Sequence, residues 1–145
     1  MEPSEWIPAW SDGTGIGIPE LDAADRRLNA LVHELNQAIA DGRDAEKIPR
    51  LMNQLLLEAL NHFEHEERVL SECAYPLPKG HAALHRQMRA ELEHAAEVLR
   101  DVEARAMWAE CGLLVAQLFA EHMRQETIKF GNFLRPDSLA DSEET

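Results

Sequence analysis

Four stretches of this sequence repeat apolar residues at helical spacing, and each carries histidine or carboxylate side chains on the same stripe as its aliphatic residues. In the first, Leu21, Leu28, Val32, Leu35 and Ile39 recur at intervals of seven, four, three and four, with Asp25 between Leu21 and Leu28. In the second, Met52, Leu55, Leu56, Ala59, Phe63 and Leu70 share their face with His62 and Glu66. The third sets His81 and His85 among Leu84, Met88, Leu92, Ala95, Leu99 and Val102. The fourth runs through Leu114, Val115, Leu118, Phe119, Ile128, Phe130 and Phe133, with His122 and Glu126 in its course. Residues i and i+4 of a helix lie about 40° apart around its axis, so each His-to-Glu or His-to-His pair at that spacing points the same way.

The punctuation between these stretches sets the architecture. Residues 1–18, with IPAW and SDGTGIG, read as an extended arm, and Pro19 suits a first helical turn. Asp41-Gly42 offers a C-terminal cap. A second helix opens near Pro49 and ends before Tyr75-Pro76, and a third begins around Lys79. The segment DVEARAMWA, residues 101–109, holds no glycine or proline, so the boundary before the fourth helix (about 107 to 134) is the least marked. Arg135-Pro136 closes that helix, and residues 136–145 form an acidic tail. No alternating strand pattern occurs. The chain of 145 residues has the size of one domain, and the expectation is an all-α, up-down antiparallel four-helix bundle over residues 19–135.

Composition excludes several functions. A formal net charge of −13 opposes a nucleic-acid or anionic-membrane surface, which needs clustered Lys and Arg. No run of roughly 18 apolar residues is present, so no membrane span is expected. MEPSEWIPAW has neither a basic flank nor an apolar run, so no secretory signal is expected. Cys73 and Cys111 fit neither a disulfide framework nor a zinc knuckle; they read as small buried hydrophobes in a cytoplasmic protein.

The stripes therefore point seven ionisable groups inward: Asp25, His62, Glu66, His81, His85, His122 and Glu126. Burying charged groups without partners costs several kcal/mol each, and no Lys or Arg shares the stripes. A bound metal pair supplies the missing positive charge. Glu66 and Glu126, on different helices, are placed to bridge two ions. Imidazole with carboxylate and no thiolate suits iron, manganese or zinc, and spacing alone leaves the three open. His33, His65 and His94 lie off the lines and read as surface or outer groups, and Glu67 reads as a solvated neighbour of Glu66.

Further motifs narrow this. Trp10, GIGIPELD at 15–22, HFEHEE at 62–67, YPLPKGH at 75–81 running into HAALH at 81–85, and His122 together resemble the hemerythrin family, its bacterial single-domain members in particular. The resemblance covers nearly the whole chain. It implies a non-haem centre of two iron ions, oxo- or hydroxo-bridged, held by five histidines and two bridging carboxylates, with dioxygen binding at one iron. On that likeness His62 and Glu66 are the second-helix ligands, His81 and His85 the third-helix pair, and His122 the fourth-helix histidine.

Three positions depart from the family pattern. The family's first-helix histidine sits in a DxQH context, where this chain reads Asp22-Ala23-Ala24-Asp25. Its last aspartate falls at Thr127, so the bridge passes to Glu126, a better ligand than a hydroxyl. Its tryptophan ahead of the fourth-helix histidine is Leu118. The implied arrangement has His81, His85 and His122 on one iron, His62 and Asp25 on the more open one, and Phe63, Leu118, Phe119 and Met123 around a dry ligand pocket. The leading expectation is a di-iron protein that binds dioxygen or a related small ligand as carrier, store or sensor, rather than a catalyst. A di-iron oxidase or peroxide-reducing enzyme, or an interaction module stapled by metal, are the alternatives.

Overall fold

The computed structural model describes the backbone of residues 19–72 and 81–134, with side-chain surroundings for 21–69, 71–72 and 82–125. The expected N-terminal arm, the Tyr75-Pro76 turn, Cys73 and the acidic tail lie outside the described residues. Four helices follow one another: α1 (Pro19–Asp41), α2 (Lys47–Glu72), α3 (His81–Val98) and α4 (Trp108–Leu134), with a short 3-10 helix (Val102–Met107) ahead of α4. No strand occurs among the described residues. The chain is an all-α, up-down antiparallel four-helix bundle, with α1 and α3 each packed between α2 and α4. None of the helices is long and apolar enough to cross a membrane.

Local chemistry explains where the helices stop. Gly42 takes φ of 68°, a left-handed conformation open to glycine at little cost, and its N–H reaches back to the Ala38 carbonyl at 3.0 Å. The helix α2 opens two residues before Pro49, which sits in a first turn where no intrahelical N–H is needed. The break ahead of α4 uses a cap instead of glycine or proline. Arg100 and Asp101 tighten the end of α3 by donating to the Glu97 and Val98 carbonyls at 3.3 and 3.2 Å. Asp101 then turns extended, and its carboxylate accepts the Glu103 N–H at 3.0 Å, starting the 3-10 helix.

The stripes largely form the core. Leu21, Leu28, Val32, Leu35, Met52, Leu55, Ala59, Met88, Leu92, Ala95, Leu99, Val115 and Phe119 are all buried. Three expected core positions are exposed instead: Leu84 at 38%, Val102 at 68% and Leu114 at 58%. Val102 belongs to the 3-10 helix, where the α periodicity that placed it inward no longer runs. Leu114 edges a cleft of about 640 Å³ between α3 and α4, which also leaves Leu118 and Cys111 half-buried. Trp108, absent from the stripe, is buried, and its indole N–H donates to the Val98 carbonyl at 2.9 Å.

Helices α1 and α4 approach tightly at Gly112. Buried Asn36 on α1 donates to the carbonyls of Val32 (3.0 Å) and of Gly112 on α4 (3.1 Å). A Cβ at Gly112 would lie 2.5 Å from Asn36 Oδ1 and 2.9 Å from Ile39 Cδ1. Overpacking of this kind costs about 1–3 kcal/mol, whereas alanine in place of glycine gains about 1 kcal/mol in a helix. Gly112→Ala is therefore expected to lower stability by up to about 2 kcal/mol in urea denaturation. A variant as stable as the parent, or more so, would show that α1 and α4 separate freely there.

Candidate metal centre

The antiparallel topology brings the start of α1, the end of α2, the start of α3 and the end of α4 to one end of the bundle. Asp25, His62, Glu66, His85 and His122 each stand on the core stripe of their own helix there. Their exposures are 3%, 3%, 0%, 6% and 5%, so five titratable groups share one dry volume. No Lys or Arg is buried among the described residues. The side chains of His81, Glu126 and Thr127 lie outside the described ones, although their backbones continue α3 and α4.

Distances tie the five groups together. Nε2 of His62 lies 2.8 Å from Asp25 Oδ1 and 3.4 Å from Glu66 Oε2. The other oxygen of Glu66, Oε1, lies 3.4 Å from His85 Nε2, and His122 Nε2 stands 4.0 Å from Oε2. One ligand atom from each of Glu66, His85 and His122 falls within 4.8 Å of the others. Donors sharing one octahedral ion at bond lengths near 2.1 Å sit about 3 Å apart at neighbouring vertices and about 4 Å across, so the pair distances of 2.8 to 4.0 Å fit ligand sets. Neither Asp25 Oδ1 nor either ring nitrogen of His62 takes an aligned hydrogen bond, although all are buried. Buried polar atoms of that kind are uncommon, and convergence on a cation accounts for them.

Aromatic packing orients the rings. Phe63 stacks on His85 with centroids 4.4 Å apart and planes 14° from parallel, and it meets His122 edge-on at 5.4 Å. Phe63 thus stands in direct contact with two imidazoles. Phe119 is buried in the core, while Met123 and Leu118 are half-buried, Leu118 on the α3–α4 cleft. His33 is half-buried near Gln37, His65 is half-buried and His94 is exposed, in keeping with their positions off the stripes.

One residue differs from its sequence reading. Glu67 is not a bystander in solvent: its Oε1 lies 2.9 Å from His85 Nδ1, across the α2–α3 interface. It stands about 100° round the helix from Glu66, which turns it toward α3. Apolar periodicity could not reveal it, because the side chain is 40% exposed and only its tip reaches the ring.

The electrostatics follow from burial and carboxylate crowding. Burial alone would depress the His62 pKa, but the Asp25 and Glu66 carboxylates outweigh it and raise it to about 9. His85, where burial also opposes the charged form, is raised by Glu66 and Glu67. Burial pushes the Asp25 carboxyl up, with His62 partly offsetting it. Protons and a cation can therefore satisfy the same negative charge, in competition with each other.

A helical bundle with imidazole and carboxylate groups gathered at one buried end defines a candidate cation-binding domain. The chain matches the hemerythrin HHE cation binding domain over residues 16–132, most of its length. It belongs to the hemerythrin family. Among curated relatives it is 25% identical over 76 residues to bacteriohemerythrins of Pseudomonas aeruginosa strains LESB58 and UCBPP-PA14 and of Pseudomonas paraeruginosa strain PA7, a stretch covering 52% of this chain. The chain spans about half (49%) of the length of those relatives. No solved structure matches it. The family match makes this a metal-binding domain, and membership implies non-haem iron.

Without metal, the fold holds a proton on His62 between its unfolded value of 6.5 and about 9, where the unfolded chain has released it. Stability then falls as pH rises through that window, and the raised His85 and Asp25 act in the same sense. The loss attributable to His62 is on the order of 3 kcal/mol. The urea midpoint of the metal-free protein is expected to drop between pH 7 and 9.5, and less steeply in His62→Gln. A midpoint that stays level or climbs would show that the imidazoles are neutral in the fold.

Proposed function

We propose that this chain is a non-haem di-iron protein that binds dioxygen or a related small ligand, as a carrier, store or sensor. Asp25, His62, Glu66, His85 and His122, together with His81 and Glu126, would hold the pair. The observation that carries this reading is the split of the Glu66 carboxylate, Oε1 facing His85 and Oε2 facing His62 and, at 4.0 Å, His122. A carboxylate so placed suits a bridge between two ions. Iron bound there would supply a redox-active centre for a small oxidising ligand.

The chain's own residues define the character of that centre. Glu66, wholly buried, fixes the spacing between the two halves of the site. Phe63 covers the faces and edges of two imidazoles and keeps water off them. Asp25 brings a negative charge to the His62 half, where the family pattern has a neutral imidazole, and a fixed anion favours the ferric over the ferrous state by charge alone. A reducing, cytoplasmic setting suits the free thiol of Cys111.

Anaerobic loading with ferrous iron followed by metal analysis is expected to give two ions per chain. One ion, or none, would end the dinuclear reading. Asp25→His is expected to slow the loss of the ferrous state in air, followed by optical absorption, several-fold relative to the parent. Asp22→His, about 60° round the helix from Asp25, should leave the rate near that of the parent. If Asp25→His oxidises as fast as the parent, the carboxylate does not act on the metal pair.

A further inference from the structure

The geometry points to Glu67 as a positioning residue that fixes the tautomer and direction of His85 and strengthens it as a metal ligand. This rests on the metal-binding reading of the site. His85 is flanked by carboxylates from adjacent residues of α2: Glu67 Oε1 is hydrogen-bonded at 2.9 Å from Nδ1, and Glu66 Oε1 lies 3.4 Å from Nε2. The contact at Nδ1 is short and bridges two helices, so Nδ1–H donates to Glu67 and the lone pair is left on Nε2. Phe63, stacked at 4.4 Å, holds the ring plane while Glu67 holds its rotation. With both fixed, Nε2 can only face the cluster.

The charge on Glu67 adds to this. A carboxylate accepting the remote N–H of an imidazole makes the other nitrogen more electron-rich, and removal of such a partner commonly costs roughly 10- to 100-fold in metal affinity. His62 offers the contrast: its Nδ1 takes no hydrogen bond among the described residues. Among the described residues, support of this kind is thus given to His85 and withheld from His62. Glu67 is half-exposed, so its removal opens no cavity in the core.

The test uses cobalt(II) affinity of the full chain, measured by chelator competition, for the parent, Glu67→Ala, Glu67→Gln and His62→Ala. Glu67→Ala is expected to weaken binding roughly 10- to 100-fold. Glu67→Gln keeps an acceptor of the same shape without the charge and should recover part of that loss. In the zinc-loaded protein, ring ¹⁵N shifts should place the His85 proton on Nδ1 in the parent, with a weaker hydrogen-bond signature in Glu67→Gln. A purely structural residue would move neither the ring shifts nor the order of the two variants. Glu67→Ala binding within twofold of the parent, while His62→Ala binds weakly, overturns the role of Glu67 and leaves the site reading intact. A parent that takes up no cobalt overturns both.

Discussion

The constraint on which this bundle depends is the full burial of the Glu66 carboxylate in a core that is mostly apolar. A charge with no exposure is costly unless compensating groups surround it, and no Lys or Arg is buried among the described residues to do so. Compensation comes from imidazoles on three helices at one end: His62, His85 and His122 face it, with Asp25 of α1 held against His62, each at a position its own helix would normally give to leucine. The site is not added to a finished fold. It replaces one layer of the core, so the registers of the four helices and the geometry of the cluster are a single requirement.

That requirement explains how the opposite end is built. Few apolar contacts are available where imidazoles and carboxylates fill the interior, so the helices are located from the other end by directed polar bonds. Asn36 joins α1 to the carbonyl of Gly112 on α4, Trp108 joins α4 to the last turn of α3, and Arg105 donates to the Gly42 carbonyl at 3.1 Å with its guanidinium 5.6 Å from the Trp108 ring. These interactions depend on direction as well as on burial, so they fix rotation and axial position, which apolar packing alone specifies loosely. A helix rotated by one residue would carry its histidine about 100° away from Glu66.

Sequence periodicity shows this plan well where it works through burial. The four helices, the glycine cap at 42 and the inward placement of Asp25, His62, Glu66, His85 and His122 were all legible, because each follows from a 3.6-residue repeat or a local backbone preference. It fails where the period changes or where a contact is made by the tip of an exposed side chain. Val102 continues the α repeat in sequence but sits in a 3-10 helix, started by an Asp101 cap that no apolar pattern records. Gly112 reads as a helix weakness, and only the approach of Asn36 from a helix 76 residues earlier in sequence gives it a purpose. Glu67 looks like one more charge on an acidic helix until the α2–α3 packing brings His85 within 2.9 Å.

The two halves of the cluster differ in where their negative charge sits. On the His62 half the carboxylate of Asp25 stands directly against the ring nitrogen, at 2.8 Å from Nε2. On the His85 half the added carboxylate, Glu67, lies behind the ring, at Nδ1, and is open to water. Charge in contact with a cation acts at full strength in a dry interior, whereas charge relayed through an imidazole and screened by solvent acts weakly. At Asp25, the α1 departure from the family pattern, a change of residue therefore has a larger electrostatic effect than one at Glu67. A histidine at 25 would leave Glu66 as the single buried carboxylate among the described groups, and Asp25 makes it one of two. On the proposed reading the same bundle, with its core stripes and polar stitching unaltered, is retuned toward holding a more highly charged metal pair by one residue on α1.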